Sequence, residues 1–238
     1  MNSFPRFKAV CWRIKLHNRL QPEQVMRLAY GFLKEDKLAQ EAHNHRKRPP
    51  FSIKEIGKNY ADVCTWASAI ENFKEGALRS GYNVVNISST SDIDIPHISE
   101  LNGAVVSLGP TSFFHREFNG YPYYHPEYFW HSAINLWNHT VGHRLPFDAK
   151  QASMYCPVVY MQTYPTKLQL RKDNYLPAFT GEIRHVFNQE VKMEYRYLLA
   201  ELLVTVSFAG VGRKTAWGAG QVDLNFQVTP VAITYPFG

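Results

Sequence analysis

MEYRYLLAELLVTVSFAGVGRKTAWGAGQVDLNFQV, residues 193–228, is the stretch on which the reading of the fold turns. Tyr195, Leu198, Leu199, Leu202, Leu203 and Val206 recur at offsets 0, 3, 4, 7, 8 and 11, one face of a 3.6-residue helix. Gly210 follows at the position where a left-handed residue ends a helix. GQVDLNFQV then alternates as a strand. Helix, glycine-dense turn, strand is the reverse of the strand–glycines–helix order of a dinucleotide-binding fingerprint, and no GxxxxGK[ST] phosphate loop occurs in the chain.

Working outward, FKAVCWRIKL (7–16) alternates as a strand. Pro22 opens a helix with Val25, Leu28, Ala29, Phe32 and Leu33 on one stripe, ending near residues 34–37. A short helical turn at 38–42 leads into a basic loop broken by Pro49 and Pro50, and a strand starts at Phe51. ADVCTWASAI reads as a strand, ENFKEGALRS as a helix and YNVVNIS as a strand, which completes β-α-β-β-α-β over 1–100. A second round follows over 101–238: GAVVSLGPTSF as a strand, a helix at 126–141, YCPVVYMQTYP and FTGEIRHVF as strands, then the helix and strand of the opening stretch. The expected fold class is α+β, two tandem ferredoxin-like domains, a duplication read from element order without sequence self-similarity between the halves.

At 238 residues and 45% hydrophobic the chain has ample material for a core. Its net charge of +6 suits an anionic partner such as nucleic acid. No run of about 18 apolar residues and no signal-peptide core is present, which points to a cytoplasmic protein with no membrane partner. Cys11, Cys64 and Cys156 are far apart, lie in strand-like apolar runs and form no CxxC, so they read as reduced core residues.

Two constellations can carry chemistry. In GVGRKTAWGAG, Gly210, Gly212, Gly218 and Gly220 are expected to expose backbone N–H groups, with Arg213 and Lys214 as cations and Trp217 as a stacking surface for an RNA strand. The competing reading is a tight helix-to-strand turn with Trp217 packed in the core. In HNHRKRPP, His43 and His45 adjoin Arg46, Lys47 and Arg48; imidazole trades a proton near neutral pH and the cations attract an anion. His139 and His143, four apart, permit shared metal ligation, with His125 and His131 upstream, but no HExxH or nearby cysteine supports it, and no metal or other cofactor is expected.

FTGEIRHVF, the long helix and FAGVGRKTAWGAGQV together resemble the C-terminal signature of the CRISPR repeat-processing endoribonucleases, members of the RAMP superfamily. SLGPTSFF and the following helix ending in LWN are similar to that family's strand, Pro-Thr turn and helix, with Leu136 where a basic residue is usual. KLAQEAHNHRKRPPFSI resembles its catalytic segment: His43 falls at the histidine's place and Ala42 stands for the usual leucine. The resemblance implies two ferredoxin-like domains and metal-free cleavage of CRISPR repeat RNA, by 2′-hydroxyl attack leaving 2′,3′-cyclic phosphate and 5′-hydroxyl ends.

It also implies roles. His43 is general base or general acid, Tyr30 matches a tyrosine found in some members, and Lys47 or Arg48 stabilises the phosphorane, although the usual lysine position holds Pro49. His45 is an alternative proton carrier, and the glycine loop lines the RNA-facing side between the domains. Other CRISPR effector subunits and a homodimer are open as partners. The alternative is a non-catalytic RAMP subunit that only binds RNA.

Overall fold

The computed structural model describes residues 6–45, 48–114, 121–171 and 174–228. The first sheet is built from β1 (Ala9–Lys15), β2 (Phe51–Ile56), β3 (Tyr60–Trp66) and β4 (Val84–Ser89), with helices α1 (Pro22–Phe32), α2 (Lys37–His45) and α3 (Ala69–Arg79) between them. The second is built from β5 (Gly103–Thr111), β6 (Val158–Arg171), β7 (Asn174–Val186) and β8 (Val222–Gln227), with α4 (Pro126–Thr140), α5 (Ala149–Tyr155) and α6 (Met193–Ala209). Their strand orders, β2-β3-β1-β4 and β6-β7-β5-β8, are antiparallel and equivalent. Each has the ferredoxin-like arrangement expected from element order.

Alternation in β1 explains how the two halves join. Trp12 and Ile14 point into a core shared with Val25, Ala29 and Phe32 of α1 and Phe73 of α3. Ala9 and Cys11, on the opposite face, join the core of the second half with Cys64, Trp66 and the leucines of α6. α6 therefore lies between the two sheets, and from Leu198 to Ala209 every side chain is buried. The stripe read from the sequence is real, but Ala200, Val204 and Phe208 on the other face are buried as well, since that face meets the first sheet.

Three local expectations change. The turn at 38–42 is a nine-residue helix, α2, so His43 stands on a helix rather than in a loop. Tyr155, expected to open a strand, ends α5, which Asp148 starts by accepting a hydrogen bond from the Gln151 N–H at 2.8 Å. Cys156 then caps α5 just before β6; all three cysteines are free and buried.

Candidate functional site

Tyr30 in the last turn of α1 and His43 in α2 are thirteen residues apart in the sequence, yet their rings meet edge to face at 5.1 Å. Phe51 at the start of β2 also packs against the Tyr30 ring, at 84° and 5.0 Å, and helps to fix it. Burial pushes the half-buried Tyr30 phenol above its ordinary range, so it holds its proton at neutral pH. The His43 side chain is exposed, open to a ligand. A protonated phenol beside an accessible imidazole is a pair able to move protons in a single step.

A cleft of about 1130 Å³ lies between the two halves; Glu41 and Ala42 of α2 line it, while Tyr30 and His43 are not among its lining residues. One wall is formed by α2, with Glu41 and Ala42, together with Arg48 and Pro50; the other by α4, by Phe113 and Phe114 just beyond β5, and by the glycine loop. His131, Asn135 and His139 form a polar ridge on α4, with the Asn135 amide 2.8 Å from the His131 Nε2. Their i, i+4, i+8 spacing, opposite Trp130, Ala133, Ile134 and Trp137, was the signal that would have singled them out. Arg213 lines the cleft with its guanidinium 5.7 Å from the ring of Phe114, which is 67% exposed. Aromatic faces beside a cation suit an unstacked base and its phosphate. Glu41 and Glu127 supply acceptors in the same cleft.

The expected exposed N–H groups of the glycine loop are spent inside the protein. The Gly210 N–H donates to Val206 O at 2.8 Å, Val211 to Gly220 O at 2.8 Å and Gly220 to Pro110 O at 2.7 Å. Gly212 donates to Ser132 Oγ at 2.9 Å and Arg213 to Ser112 O at 2.8 Å. Trp217, Gly218 and Ala219 donate to carbonyls of Lys214 and Thr215 within the loop. A phosphate cradle of backbone amides is thereby excluded at those residues, because each already has its partner. Gly210 and Gly220, at φ +74° and +65°, cross where a Cβ on either would strike the other strand of the loop.

The loop instead joins the two halves. Ala216 is buried in the core of the first, and the half-buried Trp217 packs against that core. The Lys214 ammonium lies 5.8 Å from the Trp217 ring and its side chain is exposed. Arg48 directs Nη2 to Ala209 O at 2.6 Å and Gly210 O at 2.8 Å, Ser52 donates to Phe208 O at 2.7 Å, and Lys54 to Ser207 O at 3.1 Å. The last carbonyls of α6, which have no partner within the helix, are satisfied by donors from the other half, two of them cationic. Arg48 is thus committed to this junction, a role that the sequence reading missed along with those of Ser52 and Lys54, because the partners lie more than 150 residues away.

Arg46 and Lys47 lie outside the described residues, as does the side chain of His45. His139 lies in the last turn of α4 with Nδ1 2.7 Å from Asn135 O, and Gly142 turns the chain at φ +70° before His143. Among the described residues no three histidine, cysteine or acidic side chains are grouped as metal ligands would be, and no helix is long and apolar enough to cross a membrane.

The model of the CRISPR-associated endoribonuclease Cas6 family matches residues 105–222. No curated protein matches the chain in sequence. Among solved structures, a Cas6 product complex superposes with a TM-score of 0.66 at 16% identity, covering 92% of this chain and 99% of its own. Cas6 of Thermus thermophilus gives 0.63 at 18% identity, covering 94% of this chain and all of its own. A chain of a partial Cas6-RT-Cas1–Cas2 complex gives 0.56 at 12% identity, with 97% of this chain covered and 48% of that one. At such identities the likeness establishes the tandem ferredoxin-like fold.

Proposed function

We propose that the chain, whose residues 105–222 match the model of the CRISPR-associated endoribonuclease Cas6 family, is a member of that family and cuts CRISPR repeat RNA without a metal ion, using Tyr30 and His43 to move the protons. The observation that carries this reading is the ring contact between Tyr30 and the exposed His43, on the helix whose Glu41 and Ala42 line the cleft between the halves.

The reaction is an internal transfer. The 2′-hydroxyl on the 5′ side of the scissile bond attacks phosphorus, and His43 takes its proton. The bond from phosphorus to the 5′-oxygen breaks, and the protonated Tyr30 phenol supplies a proton to that leaving oxygen. The products are a 2′,3′-cyclic phosphate and a 5′-hydroxyl. Negative charge on the phosphorane needs a nearby cation, a part assigned to Lys47 on its place four residues after His43. Arg213 and Lys214 hold the strand through their side chains. Partners from the CRISPR machinery fit the same reading, since a Cas6 domain occurs within a Cas6-RT-Cas1–Cas2 complex.

The test is cleavage of a labelled repeat RNA in chelator by the wild-type protein and by His43→Ala. We expect wild type to cut and to leave cyclic phosphate ends, and His43→Ala to be slower by about 10²- to 10⁴-fold with RNA binding retained. Binding of the repeat without cutting by wild type would make the protein an RNA-binding subunit, and activity lost in chelator would overturn the metal-free mechanism.

A further inference from the structure

The helix that carries His43 is held by a buried carboxylate at its other end. Asp36, fully buried, accepts the Ala39 N–H on Oδ1 at 2.9 Å, and its main-chain carbonyl accepts the Gln40 N–H at 3.0 Å, which makes it the N-cap of α2. Its Oδ2 accepts Ser68 Oγ at 2.8 Å and Asn72 Nδ2 at 2.7 Å. Ser68 is the N-cap of α3 and Asn72 lies in its first turn, so one carboxylate ties the starts of two helices together.

Among the described residues, α2 has few other anchors: the Gln40 amide donates to the Lys34 carbonyl, and His43 meets the Tyr30 ring. The helix is nine residues long, too short to be stable by itself, and from Lys37 to Asn44 only Ala39 and Ala42 are buried. Two methyl groups define where a helix lies poorly, whereas hydrogen bonds to a buried carboxylate define it in direction as well as distance. His43 stands two turns beyond Asp36, about 10 Å along the axis, so a tilt of α2 at the cap moves the imidazole away from Tyr30.

We propose that Asp36 is a positioning residue for cleavage: it touches no RNA and acts by holding α2 so that His43 meets Tyr30. The proposal rests on the catalytic reading of His43 given above. Misplacement of a reacting group by about 1 Å costs on the order of 10²-fold in rate, so Asp36→Ala should slow single-turnover cleavage of the repeat RNA by about 10- to 100-fold and leave the RNA Kd unchanged. Asp36→Asn keeps an acceptor for the Ala39 N–H but places an NH2 where Oδ2 accepts from Ser68 and Asn72, so its rate should fall between those of Asp36→Ala and wild type. In the background of His43→Ala, Asp36→Ala should slow cleavage no further, because the two act through one group.

Amide hydrogen exchange across α2 reports the helix directly and should quicken in Asp36→Ala. Ser68→Ala and Asn72→Ala each remove one donor to Oδ2, and both should give intermediate rates even if Asp36→Ala fails to fold. A wild-type cleavage rate in Asp36→Ala, with His43→Ala still inactive, overturns the positioning role alone. A wild-type rate in His43→Ala overturns the catalytic reading and the positioning role with it. An equal further loss in the double variant, or a fall in RNA affinity matching the fall in rate, makes Asp36 a general structural residue and overturns the proposal.

Discussion

Two glycine substitutions separate backbone strain from close packing. Gly81 and Gly220 both have positive φ, +75° and +65°. A Cβ on Gly81 meets nothing within 4 Å, whereas one on Gly220 would be driven into the Val211 carbonyl. Gly81→Ala therefore faces only the left-handed penalty of about 1–2 kcal/mol, offset by about 0.4–1 kcal/mol from a less flexible unfolded chain. Its net cost is about 1 kcal/mol or less. Gly220→Ala faces the same strain and must also part the Val211 N–H from Gly220 O, at 2.8 Å, and the Gly220 N–H from Pro110 O, at 2.7 Å. With about 1 kcal/mol for each lost hydrogen bond and more for the carbonyl's displacement, the total is about 3–4 kcal/mol. At roughly 2–4 °C per kcal/mol for a chain of this size, Gly220→Ala should melt about 10 °C below wild type and Gly81→Ala within about 3 °C. Urea denaturation with melting curves measures both. If the two variants lie within about 1 kcal/mol of each other, the loop yields to a methyl group and the glycines are not required by its packing.

Two further outcomes follow from other sites. His185 is buried with Nδ1 donating to Cys156 O at 3.0 Å and Nε2 accepting from the Tyr124 hydroxyl at 3.2 Å, and burial lowers its pKa to about 4. The unfolded chain takes up this proton near pH 6.5 and the folded chain does not. The contribution of His185 is therefore intact above about pH 6.5 and lost at up to ~1.4 kcal/mol per pH unit as pH falls toward 4. Urea titrations across that range should find the slope reduced in His185→Gln, and an unchanged slope would refute the assignment. Arg213→Ala and Lys214→Ala should each weaken binding of repeat RNA and lower the slope of log K against log salt by about 0.7, the value for one phosphate contact on a single strand. Unchanged slopes in filter-binding titrations would remove these side chains from the RNA interface.

The sequence by itself determined the order of the elements and most of their apolar faces. The stripe beginning at Tyr195 and the glycine after Ala209 bounded α6, which spans Met193–Ala209 with Gly210 at φ +74°, because helix periodicity and a left-handed cap are local properties of the chain. Pro22 marked the start of α1 for the same reason. The resemblance drawn from the glycine stretch pointed to the family whose model matches residues 105–222. The tertiary structure alone decided what those segments touch. The amides of Gly212, Arg213 and Gly220 find their partners at Ser132, Ser112 and Pro110, and no local pattern reveals an acceptor some 80 to 110 residues away. Periodicity reported one apolar face of α6, whereas its second buried face exists only because the first sheet packs there. The meeting of Tyr30 and His43 likewise depends on a turn at residues 33–36 and on Asp36, whose carboxylate is worth burying only when Ser68 and Asn72 arrive from elsewhere in the chain to satisfy it.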